Sequence, residues 1–351
     1  MRHFLAKKKE DLKFDTKGRA RTVKYATEAR KAKINPDNIK AYEAYLRSST
    51  IKNRDVANTT YRTYESYFNI FLCFIAENWD NFYILDEDFL EENMIDVMES
   101  YIEFLQTELH NAKKSINTKI ASVSSFYGWA LKRRKIKAHP FDGRLDRMKG
   151  AQDEKIISVY FLDKNQVNDI VAELSIAGED GSEYDLMDKL IWHIAFDSAC
   201  RIGALHNLTV SSFDEKNLAF LNIREKRGKR VSVPITPETY EIYKVFIEWR
   251  KAQGVDCDEL FPVKVKGVWQ GMSKQSLYTR IKKIGYIVGL GDFRPHCIRK
   301  TRLNMIGEHD INLAKQLANH ESLDTTARFY MKQKDQSDTL QAIMALENGA
   351  E

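Results

Sequence analysis

The residues with the most chemical capacity lie in the second half of the chain. Arg201 follows an apolar run, in Ser198-Ala199-Cys200-Arg201-Ile202. Lys226 opens the basic turn Lys226-Arg227-Gly228-Lys229. His296 and Arg299 share His296-Cys297-Ile298-Arg299. His320 ends Leu317-Ala318-Asn319-His320, and Tyr330 follows it after Thr325-Thr326-Ala327-Arg328-Phe329. By type, this set suits phosphate chemistry. Guanidinium forks match phosphate oxygens, imidazole moves protons near neutral pH, and a hydroxyl can be a nucleophile. Each residue also has an ordinary reading. Arg201 could be a surface arginine, His296 a structural histidine at a helix start, and Tyr330 a core residue beside Phe329. Lys226 could sit on a solvated hairpin tip among Arg224, Arg227, Lys229 and Arg230, and His320 could cap a helix.

The ordered set resembles the tyrosine recombinase (phage integrase) family. That family's pattern is an arginine after a helix, a lysine in a β-hairpin, HxxR, a histidine or tryptophan, then a tyrosine nucleophile. All six types occur here in that order. Flanking segments agree: Val231-Ser232-Val233-Pro234, Leu260-Phe261-Pro262 and Thr325-Thr326. His139-Pro140-Phe141 is similar to the family's Asn-Pro boundary, and the likeness runs from about residue 36 to 340. HxxR alone is unspecific; the whole ordered set is specific.

The resemblance implies a mechanism. Tyr330 attacks a phosphodiester and stores its energy as a 3′-phosphotyrosyl ester. A free phenol has a pKa of ~10, so His296 is the implied base, and the acid in the reverse step. Arg201 and Arg299 are implied to fork onto non-bridging oxygens, where losing one such donor typically costs ~10²–10³ in rate. Lys226 would protonate the departing 5′ oxygen, with Lys229 as a competitor for that role. His320 would hydrogen-bond a phosphate oxygen. The expected catalytic set is therefore Arg201, Lys226, His296, Arg299, His320 and Tyr330, with no metal or other cofactor.

Some supporting positions depart from the family's pattern. Ala199-Cys200 replaces Thr-Gly, and Asn319 replaces the Gly of Leu-Gly-His. Ile298 replaces a Leu and Lys300 a His. Ala204 replaces a carboxylate that would help orient neighbouring groups. The leading expectation is a site-specific recombinase, an integrase of a phage or mobile element. The alternative is a sequence-specific DNA-binding regulator on the same scaffold with reduced or lost catalysis. A type IB topoisomerase ranks lower.

Several elements must position these residues. Asn35-Pro36-Asp37 opens a helix with Ile39, Tyr42 and Tyr45 on one face. Asn58-Thr59-Thr60 opens a second, with Tyr64, Phe68, Phe71 and Ile75 at three- and four-residue steps. A third is expected from Asn93 to His110, burying Ile95, Met98, Ile102 and Leu105. A fourth runs from Ser115 to Lys135 through Ile116, Ile120, Val123, Tyr127 and Leu131. The aromatic residues here, Phe74 included, read as core. Asp163 with Gln166 forms a capping box that opens the second domain. A helix over Leu186 to Ser198 follows. Leu218 to Ile223 and Val231 to Ile235 form a hairpin, and Thr236-Pro237 caps a helix ending near Gly254. From Ser273 onward the pattern is helical again. Trp192, His193 and His206 read as structural.

The expected fold is mainly α with a small antiparallel sheet: a helical core-binding domain plus an α/β catalytic domain. Expected boundaries are a basic arm over 1–34, the core-binding domain over 35–143 and a linker over 144–157. The catalytic domain is expected over 158–337 and a tail helix over 338–351.

Charge fits a polyanion partner. Residues 1–40 hold thirteen Lys/Arg against five Asp/Glu, and residues 113–149 hold eleven against two. Residues 81–110 hold nine acidic residues and no Lys or Arg. Such segregation suggests one face for double-stranded DNA. The expected contacts are Lys113, Lys114, Lys119, Lys132, Arg133 and Arg134, with Arg227, Lys229 and Arg230 on the hairpin. The arm, with Lys7-Lys8-Lys9, Arg19 and Arg21, is expected to touch DNA outside the core site. In the resembled family two domains clamp duplex DNA and the tail docks on a neighbouring protomer. That implies a tetramer on DNA, with a monomer free in solution and accessory DNA-bending or directionality factors. Leu340, Ile343, Met344 and Leu346 would supply the docking face; the tail could equally fold back on its own core.

Composition closes off other classes. Hydrophobic residues make up 43% and charged residues 30%, an ordinary globular mix. No run reaches the ~18 apolar residues of a membrane span. The basic start MRHFLAKKKEDLK is not a secretory signal. Four cysteines without a CxxC pair fit a reducing cytoplasm, and eight histidines show no metal spacing.

Overall fold

The computed structural model describes residues 24–52, 58–150, 161–225, 228–319 and 322–331. The chain divides into two compact units, Met1–Lys155 and Ile156–Glu351. Most of the basic arm, the end of the linker, Lys226, Arg227, His320 and the tail lie outside the described residues.

The first unit is all-helical where described: α1 (Glu28–Lys31), α2 (Pro36–Lys52), α3 (Asn58–Asn78), α4 (Glu87–Thr107) and α5 (Lys113–Lys132). Its core is aromatic. Tyr42 stacks on Phe68 with ring centroids 4.0 Å apart, and Phe126 meets Phe68 at 5.1 Å. Phe71 and Phe74 are buried in the same cluster, as their helical spacing predicts. α4 starts six residues earlier than expected, because Asp86 caps it by accepting from the Phe89 N–H. Glu87 and Asp88 then sit in the first turn, where the helix dipole favours anions. Ile39 and Leu131, which spacing places on the apolar faces, are instead exposed, because each lies at the edge of its helix's packed stripe.

Residues 24–34, assigned from sequence to the arm, pack into this core through Tyr25, Ala26 and Ile34. The Tyr25 hydroxyl donates to Glu77 at 2.6 Å and Arg30 Nε donates to the same carboxylate at 2.8 Å. Those apolar residues are too few and irregular to register as a periodic pattern.

The second unit opens with α6 (Lys164–Ser175), capped by the Asp163–Gln166 box. α7 (Leu186–Ser198) runs through the core with Trp192 fully buried, and α8 (Ile202–His206) follows it. Strands β1 (Phe213–Asp214), β2 (Ala219–Arg224) and β3 (Arg230–Pro234) form an antiparallel sheet in chain order. α9 (Pro237–Ala252) is capped by Thr236.

A second hairpin, β4 (Pro262–Val265) with β5 (Val268–Gly271), was not legible in the sequence. Its turn, Lys266-Gly267, has φ of 50° and 87°, as tight hairpins require. Its strands are four residues long and partly exposed, so no apolar alternation marks them. α10 (Lys274–Ile284), α11 (Pro295–Gly307), α12 (Ile311–Ala318) and α13 (Leu323–Tyr330) complete the unit.

Among the described residues no helix is long and apolar enough to cross a membrane. No group of three or more His, Cys, Asp or Glu among them could hold a metal ion.

Candidate active site

Two helix ends and one buried arginine organise the site. α7 ends at Ala199 with φ 47° and ψ 28°, and α12 ends at Asn319 with φ 53° and ψ 39°. Both are left-handed, so each chain leaves its helix sharply with carbonyls still needing donors. Arg299, on α11, supplies them. Its Nη1 donates to the Ala199 carbonyl at 2.5 Å and its Nη2 to the Ala318 carbonyl at 2.8 Å. Arg299 is 2% exposed, so these bonds form away from bulk water. The two carbonyls lie two residues before Arg201 and two residues before His320 in the sequence.

Tyr330 ends α13 and points at Arg299. Arg299 Nε lies 3.4 Å from the Tyr330 hydroxyl, and the guanidinium carbon sits 5.2 Å from the ring centroid. The ring packs in a small cluster with Ala199, Leu303, Ala314 and Ala318, and is 6% exposed.

His296 is one turn before Arg299 on α11, so helical geometry puts both side chains on one face. Its ring meets that of Tyr330 edge-on, with centroids 5.4 Å apart. By its overall area His296 is an exposed residue. Its pKa is nonetheless pushed down to about 4, first by burial and then by the positive charges of Lys300, Arg299 and Arg201. The imidazole is thus neutral at pH 7, the form that accepts a proton.

Arg201 occupies the N-cap position of α8. Its Nη1 donates to the Glu225 carboxylate at 2.5 Å. Arg201 is thereby attached to the β2–β3 hairpin, since Glu225 immediately precedes Lys226. The far end of α8 is tied to the same place by Asn207 Nδ2, which donates to the Arg224 carbonyl at 2.8 Å. On the other side of the turn, Lys229 Nζ donates to the Asn319 carbonyl at 2.8 Å.

Arg201, His296, Arg299 and Tyr330 therefore fall in one neighbourhood, while Lys226 and His320 lie outside the described residues. By the family's pattern Arg299 is expected to fork onto phosphate oxygens. In the structure two carbonyls and the tyrosine engage its nitrogens. Glu225 belongs to none of the six expected catalytic positions. It is the one acidic residue in Arg224-Glu225-Lys226-Arg227-Gly228-Lys229-Arg230, and that isolation was the available signal.

The basic positions differ among themselves. Lys114, Lys132, Arg133 and Arg134 are exposed and Lys113 is half-buried. Arg133 Nη2 also reaches the Ser48 hydroxyl, at 3.2 Å. Lys119 is only 5% exposed, turned inward onto Ser115 Oγ at 2.8 Å and onto Asn111. Burial pulls its pKa down to about 8. Lys229 and Arg230 are exposed, with Arg230 Nη1 on the Asn222 carbonyl at 3.0 Å. Arg227 lies outside the described residues.

The model of the phage integrase family matches residues 160–337, a stretch that contains all six candidate residues. This chain belongs to that family.

Relatives of the family resemble it over different spans. Tyrosine recombinase XerA of Saccharolobus solfataricus is 29% identical over 141 residues. That match covers 40% of this chain and 44% of XerA, so the chain spans less than half of that relative. Tyrosine recombinase XerC of Leptospira interrogans is 22% identical over 280 residues, 74% of this chain and 85% of the relative. Among solved structures, the XerH site-specific recombinase bound to a palindromic difH substrate, in a post-cleavage complex, has a TM-score of 0.63 at 17% identity. It covers 80% of this chain and 79% of its own. The likeness establishes the fold: a mainly α, two-domain tyrosine recombinase architecture with small antiparallel sheets.

Proposed function

We propose that this chain is a site-specific DNA recombinase that cleaves and rejoins strands through Tyr330. The observation that carries the reading is the 3.4 Å approach of Arg299 to the Tyr330 hydroxyl, with the neutral His296 ring beside it. In the cleavage step the Tyr330 oxygen bonds to phosphorus and the bond to the 5′ oxygen breaks. His296 takes the phenol proton and Lys226 returns one to the leaving oxygen. Arg201, Arg299 and His320 hold the charge that builds on the non-bridging oxygens. The reverse attack by a 5′ hydroxyl rejoins the strand, so phosphodiester energy is conserved without an external source. Tyr330 must move out of its 6% exposed position to reach a phosphate, which makes DNA binding the step that readies it.

Duplex DNA is the substrate. The exposed Lys132, Arg133 and Arg134 at the end of α5, and the hairpin cations Lys229 and Arg230, are the proposed phosphate contacts. Strand exchange needs two duplexes and four active sites, so a tetramer on DNA follows from the reaction. An integrase of a phage or mobile element, acting in the cytoplasm with accessory factors, is the setting that fits a chain of this family.

The test starts by selecting tightly bound duplexes from a random pool with Tyr330→Phe. Two plasmids carrying the selected site are then incubated with wild type. Recombinant plasmids that depend on the site support the reading. Relaxation of supercoils without any site favours a topoisomerase. Specific binding with no strand cleavage favours a regulator, and the promoter that the site overlaps then becomes the object of interest.

A further inference from the structure

We infer that Glu225 is a positioning residue: a buried carboxylate that aims Arg201 at the scissile phosphate and ties it to the end of β2. This rests on the recombinase reading and assigns a further residue to that reaction.

The two partners are unequally exposed. The Glu225 side chain is 5% exposed, whereas that of Arg201 is 39% exposed. Glu225 is thus the fixed end of the pair and Arg201 the presented end. A guanidinium has five N–H donors in a rigid plane, so a carboxylate gripping one edge sets the direction of the rest. The contact is made through Nη1 alone, at 2.5 Å. The remaining edge of the plane stays available to a ligand from solvent.

Nothing on α8 itself does this work. Arg201 is the N-cap residue but makes no side-chain cap bond, and Ala204, one turn on, has no carboxylate and is fully buried. The backbone holds Glu225 in turn. Its N–H donates to the Lys229 carbonyl at 2.6 Å, fixing the end of β2 to the residue just before β3. The Asn207–Arg224 bond pins the same strand end to the end of α8. Arg201 and the described ends of β2 and β3 are therefore one assembly, with Glu225 as its joint. Loss of the carboxylate leaves both groups present but misaims the guanidinium, and small misplacements near a reacting centre cost about 10²-fold in rate.

The experiment compares wild type, Glu225→Gln, Glu225→Asp and Arg201→Ala in the full chain. Adduct formation is timed on a nicked duplex with either a phosphodiester or a methylphosphonate at the cleavage position. The methylphosphonate lacks the charge that a guanidinium neutralises. On phosphodiester, Glu225→Gln is expected to slow the adduct step about 10- to 100-fold, with DNA affinity within a few fold of wild type. Glu225→Asp recovers most of the rate. On methylphosphonate, Glu225→Gln, Arg201→Ala and wild type converge, because the demand on Arg201 is gone. A purely structural role would slow both substrates alike, and that result overturns the inference. So does an active wild type matched by Glu225→Gln on phosphodiester. A wild type that forms no adduct overturns the recombinase reading itself, and the role of Glu225 with it.

Discussion

Arg299 donates from Nη1 to the Ala199 carbonyl and from Nη2 to the Ala318 carbonyl, while its Nε lies 3.4 Å from the Tyr330 hydroxyl. One guanidinium thus links the end of α7, the end of α12 and the proposed nucleophile. The residue is as much a bracket between helices as a phosphate ligand.

Removing that bracket should cost stability as well as activity. Arg299→Ala leaves two buried helix-end carbonyls without donors, at about 1–3 kcal/mol each for an unsatisfied group. A loss of about 2–6 kcal/mol is expected in urea unfolding of the free protein, without DNA. Arg299→Lys should recover little, since one ammonium cannot span both carbonyls and face Tyr330. A variant as stable as wild type would show that the carbonyl contacts carry no weight.

The His296 shift gives a pH signature. Its pKa falls from the ordinary 6.5 to about 4, so the folded protein holds fewer protons than the unfolded chain between those values. Stability from this group is therefore complete above pH 6.5 and is lost as pH falls through about 4. The imidazole resonances of the free protein should titrate near 4, and His296→Asn should flatten that part of the stability profile. A midpoint at 6.5 would contradict the cation-flanked position.

How much of this was legible beforehand follows from what each feature depends on. Phe68, Phe71 and Phe74 announce a buried face because helical spacing is local. Asp163 with Gln166 reads as a helix start because a capping box is local too. Arg201, His296, Arg299 and Tyr330 could be ordered along the chain, yet nothing in their spacing says that Arg299 would hold two helix ends. Those contacts span 100 and 19 residues. The Arg201–Glu225 pair spans 24 residues and joins a helix start to a strand end, a relation no periodicity encodes. Tyr25 and Ile34 were assigned to an arm because isolated apolar residues leave no pattern; their burial depends on α3 and α4 being already in place.

The cations of α5 should behave differently from one another. Lys132→Ala, Arg133→Ala and Arg134→Ala are each expected to weaken DNA binding and lower the salt slope by about one unit. Lys119→Met should leave the slope unchanged, because Lys119 is held on Asn111 and Ser115. It should instead change the stability profile. A lysine pulled from 10.5 to about 8 makes the wild type gain stability as pH rises between those values, and the methionine variant should lose that gain. Binding titrations at several salt concentrations and urea melts at neutral and alkaline pH separate the two effects. A lower salt slope in Lys119→Met would put this ammonium on the DNA.

The central claim is that Tyr330 is the nucleophile. The direct measurement is covalent trapping: wild type and Tyr330→Phe are incubated with selected duplexes nicked at successive positions, then denatured and resolved. A nick lets the short fragment that carries the freed 5′ hydroxyl diffuse away, so the strand joined to the tyrosine through its 3′ phosphate stays on the protein. A denaturant-resistant adduct should form with wild type at one nick position. It should be absent from Tyr330→Phe, whose DNA affinity stays within a few fold of wild type. An adduct of equal yield in Tyr330→Phe, or none from wild type at any position despite tight specific binding, contradicts the account.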